Sequence, residues 1–305
     1  MPESTLQKIN ILSLLLFVGI LVDTFFFEGA LKSSLPHSVS QFWWYYLIFG
    51  SPHIIASFVA YANKDYFDYY KKPLIKGLLI NSFLIILFLS FIPEMFMYFF
   101  IAYTLYHTSW QQFGLCRKYV EDRRLYDIWS KSGVVMAVTL ALSVGGESLV
   151  TVPTTLSSSL QNIGIVSLAI FTVSTLFLYN KGAHFLTTAY NAITASIAIL
   201  MGCYVIGIIM IRFTHDISAF CIYIKHDTEE QRAHNKNYLY TLFSKKYARV
   251  ALILPTVSIL VPFLIQRYAG FFGYIAILII SLTHYYLEGI VWKKGTLHRK
   301  TLQEY

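Results

Sequence analysis

Residues 186–225 read LTTAYNAITASIAILMGCYVIGIIMIRFTHDISAFCIYIK, and how many times this stretch crosses a membrane decides the topology of the chain. It is too long for one crossing, which takes about 20 apolar residues at a rise of 1.5 Å each. Gly202 and Gly207 offer places to turn, giving spans over 186–201 and 204–225. Eight further apolar stretches run over 9–31, 41–62, 76–92, 95–115, 129–146, 162–179, 249–267 and 270–292. A turn at Gly202 therefore predicts ten spans; one long helix would leave nine and invert everything before it.

The basic residues choose between these readings. With ten spans and both termini cytoplasmic, 21 of the 24 lysines and arginines fall on the cytoplasmic side. The outer loops keep only Lys32 and Arg267, and Arg212 lies within a span. Cytoplasmic enrichment of Lys and Arg is the asymmetry that orients membrane proteins; nine spans would scatter the basic loops on both sides. The expected cytoplasmic loops lie at about 63–75, 116–128 and 226–248, within a single transmembrane helical domain covering 1–305.

Composition agrees with this class. Of the 305 residues 56% are hydrophobic and 13% charged, against about 25% charged in a soluble domain. Cys116, Cys203 and Cys221 show no CxxC spacing, so neither a disulfide framework nor a zinc knuckle is indicated. The net charge of +8 sits in particular loops and implies no nucleic-acid partner. Residues 9–31 read as a full span and not as a removable signal peptide. The expected location is a bacterial inner membrane, as a multi-pass all-α protein; nothing in the sequence sets an oligomeric state.

Four histidines sit inside apolar spans: His53, His107, His215 and His284. Their spans, the second, fourth, eighth and tenth, all run from outside to inside, and each histidine lies some 11 to 14 residues in. At 1.5 Å per residue their depths agree within roughly 5 Å. Intramembrane ionisable residues mark functional sites, and imidazole is the commonest metal-ligating side chain. The expectation is an intramembrane histidine cluster holding a metal. A proton relay and plain interhelical hydrogen bonding are the alternatives.

The neighbours add chemistry. Gly50-Ser51-Pro52-His53 predicts a break in the second span, with Ser51 capping a half-helix that starts at Pro52. Glu288, four residues after His284, shares its helix face as a further ligand, an orienting partner or a general base; its plain reading is a glutamate reaching water. Gln111 stands four after His107 and is a candidate orienting residue, with Gln112 beside it. Arg212 should pair with Asp216, four residues on, or line a wet cavity. Asp216 and Glu288 are the candidate catalytic acids and bases.

The His-Asp pair of 215–216 recurs at 226–227, on the same face but roughly 16 Å away along a helix. His226, with Asp227, Glu229 or Glu230 and His234, is thus a cytoplasmic mouth or second site, and a further candidate ligand; His234 reads more simply as a solvated loop residue. His37, His184 and His298 read as loop residues. The aromatic residues Phe42, Trp43, Trp44, Tyr45, Tyr46, Phe99, Phe100, Tyr103 and Tyr106 can wall an apolar channel or form interfacial belts.

With Gly50-Ser51-Pro52-His53 early, His107 in a central span and His284 near the end, the chain resembles, distantly, the Brp/Blh membrane carotenoid dioxygenases, which cleave beta-carotene. The resemblance covers short windows. Ile54-Ile55-Ala56-Ser57 stand where that family has Gly-Ala-x-Asp, and Ala219 stands where a second histidine would follow His215 by four. What the resemblance implies is a non-haem Fe(II) held by the four histidines, O₂ as co-substrate, and an apolar lipid or isoprenoid substrate arriving from the bilayer. Histidine-rich sites also suit Zn and Cu, so iron rests on the resemblance. Two other classes stay open: a haem b electron-transfer protein, and a proton- or metal-coupled transporter using Asp216, Glu288 and Arg212.

Overall fold

The computed structural model describes residues 3–34, 43–149, 154–180, 182–243 and 250–303; His37, Phe42, Lys181, Lys245, Lys246 and Arg249 lie outside them. Among the described residues there is no strand. The chain is a succession of helices, and by length and composition six are apolar enough to cross a membrane: Gln7–Phe26, Lys64–Phe91, Arg123–Val144, Thr154–Phe177, Tyr204–Ala233 and Val250–Val291. This is an all-α architecture with the character of a membrane protein.

The helices fall into two compact units, 1–43 with 94–218, and 44–93 with 219–305. The first contains α1 (Glu3–Phe26), the short α2 (Ala30–Ser34), α6 (Pro93–Cys116) from its second residue, α7 (Arg123–Leu149), α8 (Thr154–Phe177), α9 (Ala183–Leu200) and most of the first half of α10 (Tyr204–Ala233). The second contains α4 (Ser51–Val59), α5 (Lys64–Phe91), the rest of α10, α11 (Tyr238–Phe243), α12 (Val250–Val291) and α13 (Leu297–Gln303). A three-residue α3 (Trp43–Tyr45) leads into the second unit.

In the first unit the core is built on Trp129 of α7. Its ring packs on Phe185 at 4.6 Å, Phe113 at 4.9 Å and Phe171 at 5.2 Å between centroids, and its indole N–H donates to Thr175. This joins α6, α7, α8 and α9 through large rings that bury much area each. Polar residues tie on α1: the Asn10 amide donates to Thr188, and Ser13 donates to the Met210 carbonyl.

Helix α9 ends at a Schellman motif. Gly202 has φ +82°, which costs an L side chain strain, and the Cys203 and Gly202 amides return to the carbonyls of Ala198 and Ile199. The Lys32 ammonium donates to the Met201 carbonyl at 2.6 Å. Gly207 then lets α10 approach α9, since a Cβ there would stand 2.6 Å from the Ala195 carbonyl oxygen. Residues 186–225 therefore form two helices with a turn at Gly202.

In the second unit α12 packs along α4 and α5. Gly77 makes room for Tyr286 and Thr283, and the Asn81 amide donates to Thr283. Helix α12 is interrupted at Gly270, whose φ of 50° and ψ of −127° are outside helical values, so 250–291 comprises two helical runs.

Three expectations are corrected. The second apolar stretch is not broken before Pro52. It passes through a π-helical turn, Tyr46–Gly50, and Gly50 keeps helical dihedrals. Proline removes one ladder bond and crowds the preceding turn; the wider turn absorbs this, with the Ser51 N–H bonded to the Tyr46 carbonyl. Ser51 accordingly does not cap a new helix, and its hydroxyl donates to that same carbonyl. The segments expected as loops at 63–75 and 226–248 are helical over much of their length, because Tyr66 and Tyr70 bury one face of α5 and His226, Asp227 and Glu230 one face of α10. His184 and His298 are not loop residues: each is fully buried in the first turn of a helix, α9 and α13.

Candidate metal centre

Each unit brings together two of the four intramembrane histidines. In the first, His107 of α6 and His215 of α10 meet edge to face, with ring centroids 5.2 Å apart and a ring nitrogen of each within 4.8 Å. One turn further along, the Gln112 amide donates to Ser218 at 2.7 Å, and Ser218 donates to the His215 carbonyl. This bond fixes the register of α6 against α10 beside the two rings. It is Gln112 that makes it, while Gln111 sits half-buried next door.

Asp216 follows His215 and is 1% exposed; the Arg212 guanidinium lies 3.6 Å from its carboxylate, one helical turn back. A buried carboxylate needs such a partner. The pairing expected from the i, i+4 spacing is present.

In the second unit His53 of α4 and His284 of α12 lie with centroids 5.0 Å apart at 75°. Both are fully buried. Ser57, one turn after His53, donates its hydroxyl proton to the Ile54 carbonyl at 2.6 Å and stands 2.8 Å from His284 Nδ1. With that proton committed, Nδ1 must be the donor and Ser57 Oγ the acceptor. The tautomer of His284 is thereby set, and its lone pair is on Nε2.

Glu288 Oε2 lies 3.4 Å from that nitrogen. A lone pair facing a carboxylate is repulsive unless a proton or a cation lies between them. His53 repeats the pattern in weaker form, its Nδ1 lying 3.5 Å from the Phe49 carbonyl, which leaves Nε2 as the ligating atom. Metal-bound histidines characteristically donate their other N–H to a carbonyl or a similar acceptor. The second oxygen of Glu288 accepts from the buried Tyr223 hydroxyl, so the carboxylate is held in place from α10. Glu288 is 3% exposed: it does not reach water.

The third histidine group, also in the second unit, is built differently. His226 Nδ1 lies 2.8 Å from Asp227, and Nε2 lies 3.1 Å from the Tyr66 hydroxyl. Tyr240 donates to the other oxygen of Asp227. Glu230 accepts from the Asn63 amide and lies 3.3 Å from both Tyr66 and Thr301. His298 stacks on His226 at 4.6 Å and 13°. Both nitrogens of His226 are thus engaged by protein. The adjoining cavity, about 10 Å³ and lined by Asn63, Tyr66, His226, Asp227 and Glu230, has room for no more than a water-sized group. Glu229 pairs with the exposed Arg232, and His234 is exposed at the end of the helix.

Sequence reasoning missed Ser57, Tyr223, Tyr66 and His298. Ser57 carried a signal, four residues after His53; Tyr223 carried none, because its partner is 65 positions away. No protein-family model, no curated protein and no solved structure matches this chain.

Proposed function

We propose that this chain is a membrane-embedded, metal-dependent oxidoreductase whose intramembrane histidines His53, His107, His215 and His284 are the ligands, with ten membrane spans and both termini cytoplasmic. One observation carries most of this reading. The Ser57 bond leaves the ligating nitrogen of His284 facing the carboxylate of Glu288, a donor set suited to a first-row divalent metal.

Fe(II) with O₂ is the reading that the Brp/Blh resemblance supports, and Zn or Cu would use the same donors. When bound, such an iron supplies the one-electron chemistry that activates O₂. The chain's own residues do the rest. Ser57 and the Phe49 carbonyl orient the two rings of the second unit, and Gln112 with Ser218 supports the pair in the first. Tyr223 holds Glu288, which as carboxylate can accept a proton beside the site, and Asp216 does so when released by Arg212. A substrate reaching residues buried between apolar helices is itself apolar and lipid-like.

The test is elemental analysis with an optical spectrum of the detergent-purified protein, followed by the four single His→Ala variants. Stoichiometric iron without a Soret band, lost in each variant, is the expected result. Absence of stoichiometric metal with full activity in the variants would overturn the proposal, and a Soret band would replace it with a haem protein. The buried Arg212–Asp216 pair favours one rival, a proton- or metal-coupled transporter. Substrate-dependent ion uptake into proteoliposomes, without product from added lipid, would establish that instead.

A further inference from the structure

Helix α13 has two unlike faces. Its inward face carries His298 and Thr301, three residues apart. His298 is 1% exposed, stacks on His226 and is ringed by Tyr66 at 4.8 Å, Tyr70 at 5.2 Å and Trp292 at 5.5 Å. Thr301 lies 2.7 Å from the Tyr66 hydroxyl. The turn before α13 is closed by Thr296, whose hydroxyl lies 2.8 Å from the Lys293 carbonyl. A helix of seven residues is too short to stand alone in water, so these buried side chains determine where it lies.

The outward face is basic. Lys293, Lys294, Arg299 and Lys300 are all exposed, and from 291 to 303 there is no acidic residue. None of the four makes an ion pair with a described residue, whereas elsewhere in the second unit Lys71, Arg232 and Lys236 lie against Asp68, Glu229 and Asp65. The cations begin two residues after the last residue of α12, itself long and apolar enough to span a bilayer. That is the level of lipid headgroups, where clustered Lys and Arg attract anionic lipid.

We propose that this basic face of α13 and the turn preceding it is a docking surface for anionic phospholipid headgroups, held in fixed orientation by the inward anchors His298 and Thr301. Fixing the cations beforehand reduces the ordering that binding would otherwise require. Loose basic tails gain charge attraction alone; here the positions of the charges are set by the fold.

The full chain in detergent is titrated with phosphatidylglycerol or phosphatidylcholine, and bound lipid is counted by native mass spectrometry. Phosphatidylglycerol should bind at least about tenfold more tightly. R299Q/K300Q should remove most of that preference, while R123Q/R124Q, an equal change in net charge made at exposed positions of the first unit, should keep it. H298A/T301V, with every cation retained, should weaken binding as well. Equal affinity for the two lipids, equal loss in the two charge variants, or undiminished binding in H298A/T301V would overturn the proposal. So would displacement of the lipid by equimolar inorganic phosphate, which would make this a phosphate site.

Discussion

His284 and His226 lie in the same unit, both fully buried, both beside a carboxylate, yet the protein uses them differently. His284 has one nitrogen committed to Ser57 and the other turned toward Glu288. His226 has both nitrogens committed, to Asp227 and Tyr66, and a second imidazole stacked on its face. Burial next to an acid is common to the two and so identifies neither as a ligand. What distinguishes them is the number of ring nitrogens that the protein leaves for something else.

The largest expected effect tests that difference directly. H284A should reduce bound metal at least about tenfold, measured as metal per chain, while H226A should leave metal content unchanged and lower stability instead. Removing His226 strips partners from Asp227 and Tyr66, each loss of a buried partner costing about 1–3 kcal/mol, which a thermal melt would register. If H226A instead emptied the protein of metal while it stayed folded, the contrast would be broken.

Next come the groups that orient His284. Ser57→Ala and Glu288→Gln should weaken metal affinity about 10- to 100-fold, the usual cost of losing such a partner. Metal titration of each variant in competition with a chelator would measure it. Wild-type affinity in Ser57→Ala would mean that the tautomer is not set by that hydroxyl.

A third effect concerns His298. Burial, then the neighbouring His226, push its pKa well below the usual 6.5, with Glu288 opposing. The unfolded chain therefore binds a proton that the folded chain refuses. Stability should fall as pH drops below about 6.5 and level off only below the folded-state value. His298→Phe keeps a flat ring in the same setting and should flatten that slope in pH-dependent melts.

The smallest effect is at the surface. Asp65 holds the exposed Lys236 ammonium above its ordinary pKa, by a hydrogen bond and by charge. This contribution is present below the ordinary lysine value and lost as pH rises through the raised one. Lys236→Gln should change the alkaline limb of the melting curve slightly, and not at all in high salt.

Much of this was legible where partners lie within one turn of each other. Arg212 with Asp216, and His284 with Glu288, follow from a spacing of four on a helix, and the turn at Gly202 follows from excess apolar length. Partners distant in sequence were not legible: Ser57 facing His284, Tyr223 facing Glu288, Tyr66 facing His226. His298 was misread for another reason. Arg299 and Lys300 beside it look like a solvated tail, and a two-turn helix is too short for its inward positions to form a visible period. The local chemistry of Pro52 was recognised but its outcome was not, because a proline can be absorbed by widening a turn as well as by ending a helix.

That widened turn has a consequence for how the second unit tolerates change in length. A π-turn holds one residue more than the α-helix it interrupts, and each residue rotates a helix by about 100°. Deleting a single residue from 46–50 would let the segment wind as ordinary α-helix at little cost to its own hydrogen bonding. It would also swing Tyr45, now buried, about a quarter turn around the axis relative to His53. A shortening that looks harmless on paper would thus re-aim the entrance helix, and the same surplus residue gives evolution a one-step means of turning that aromatic end while the imidazole stays where it is.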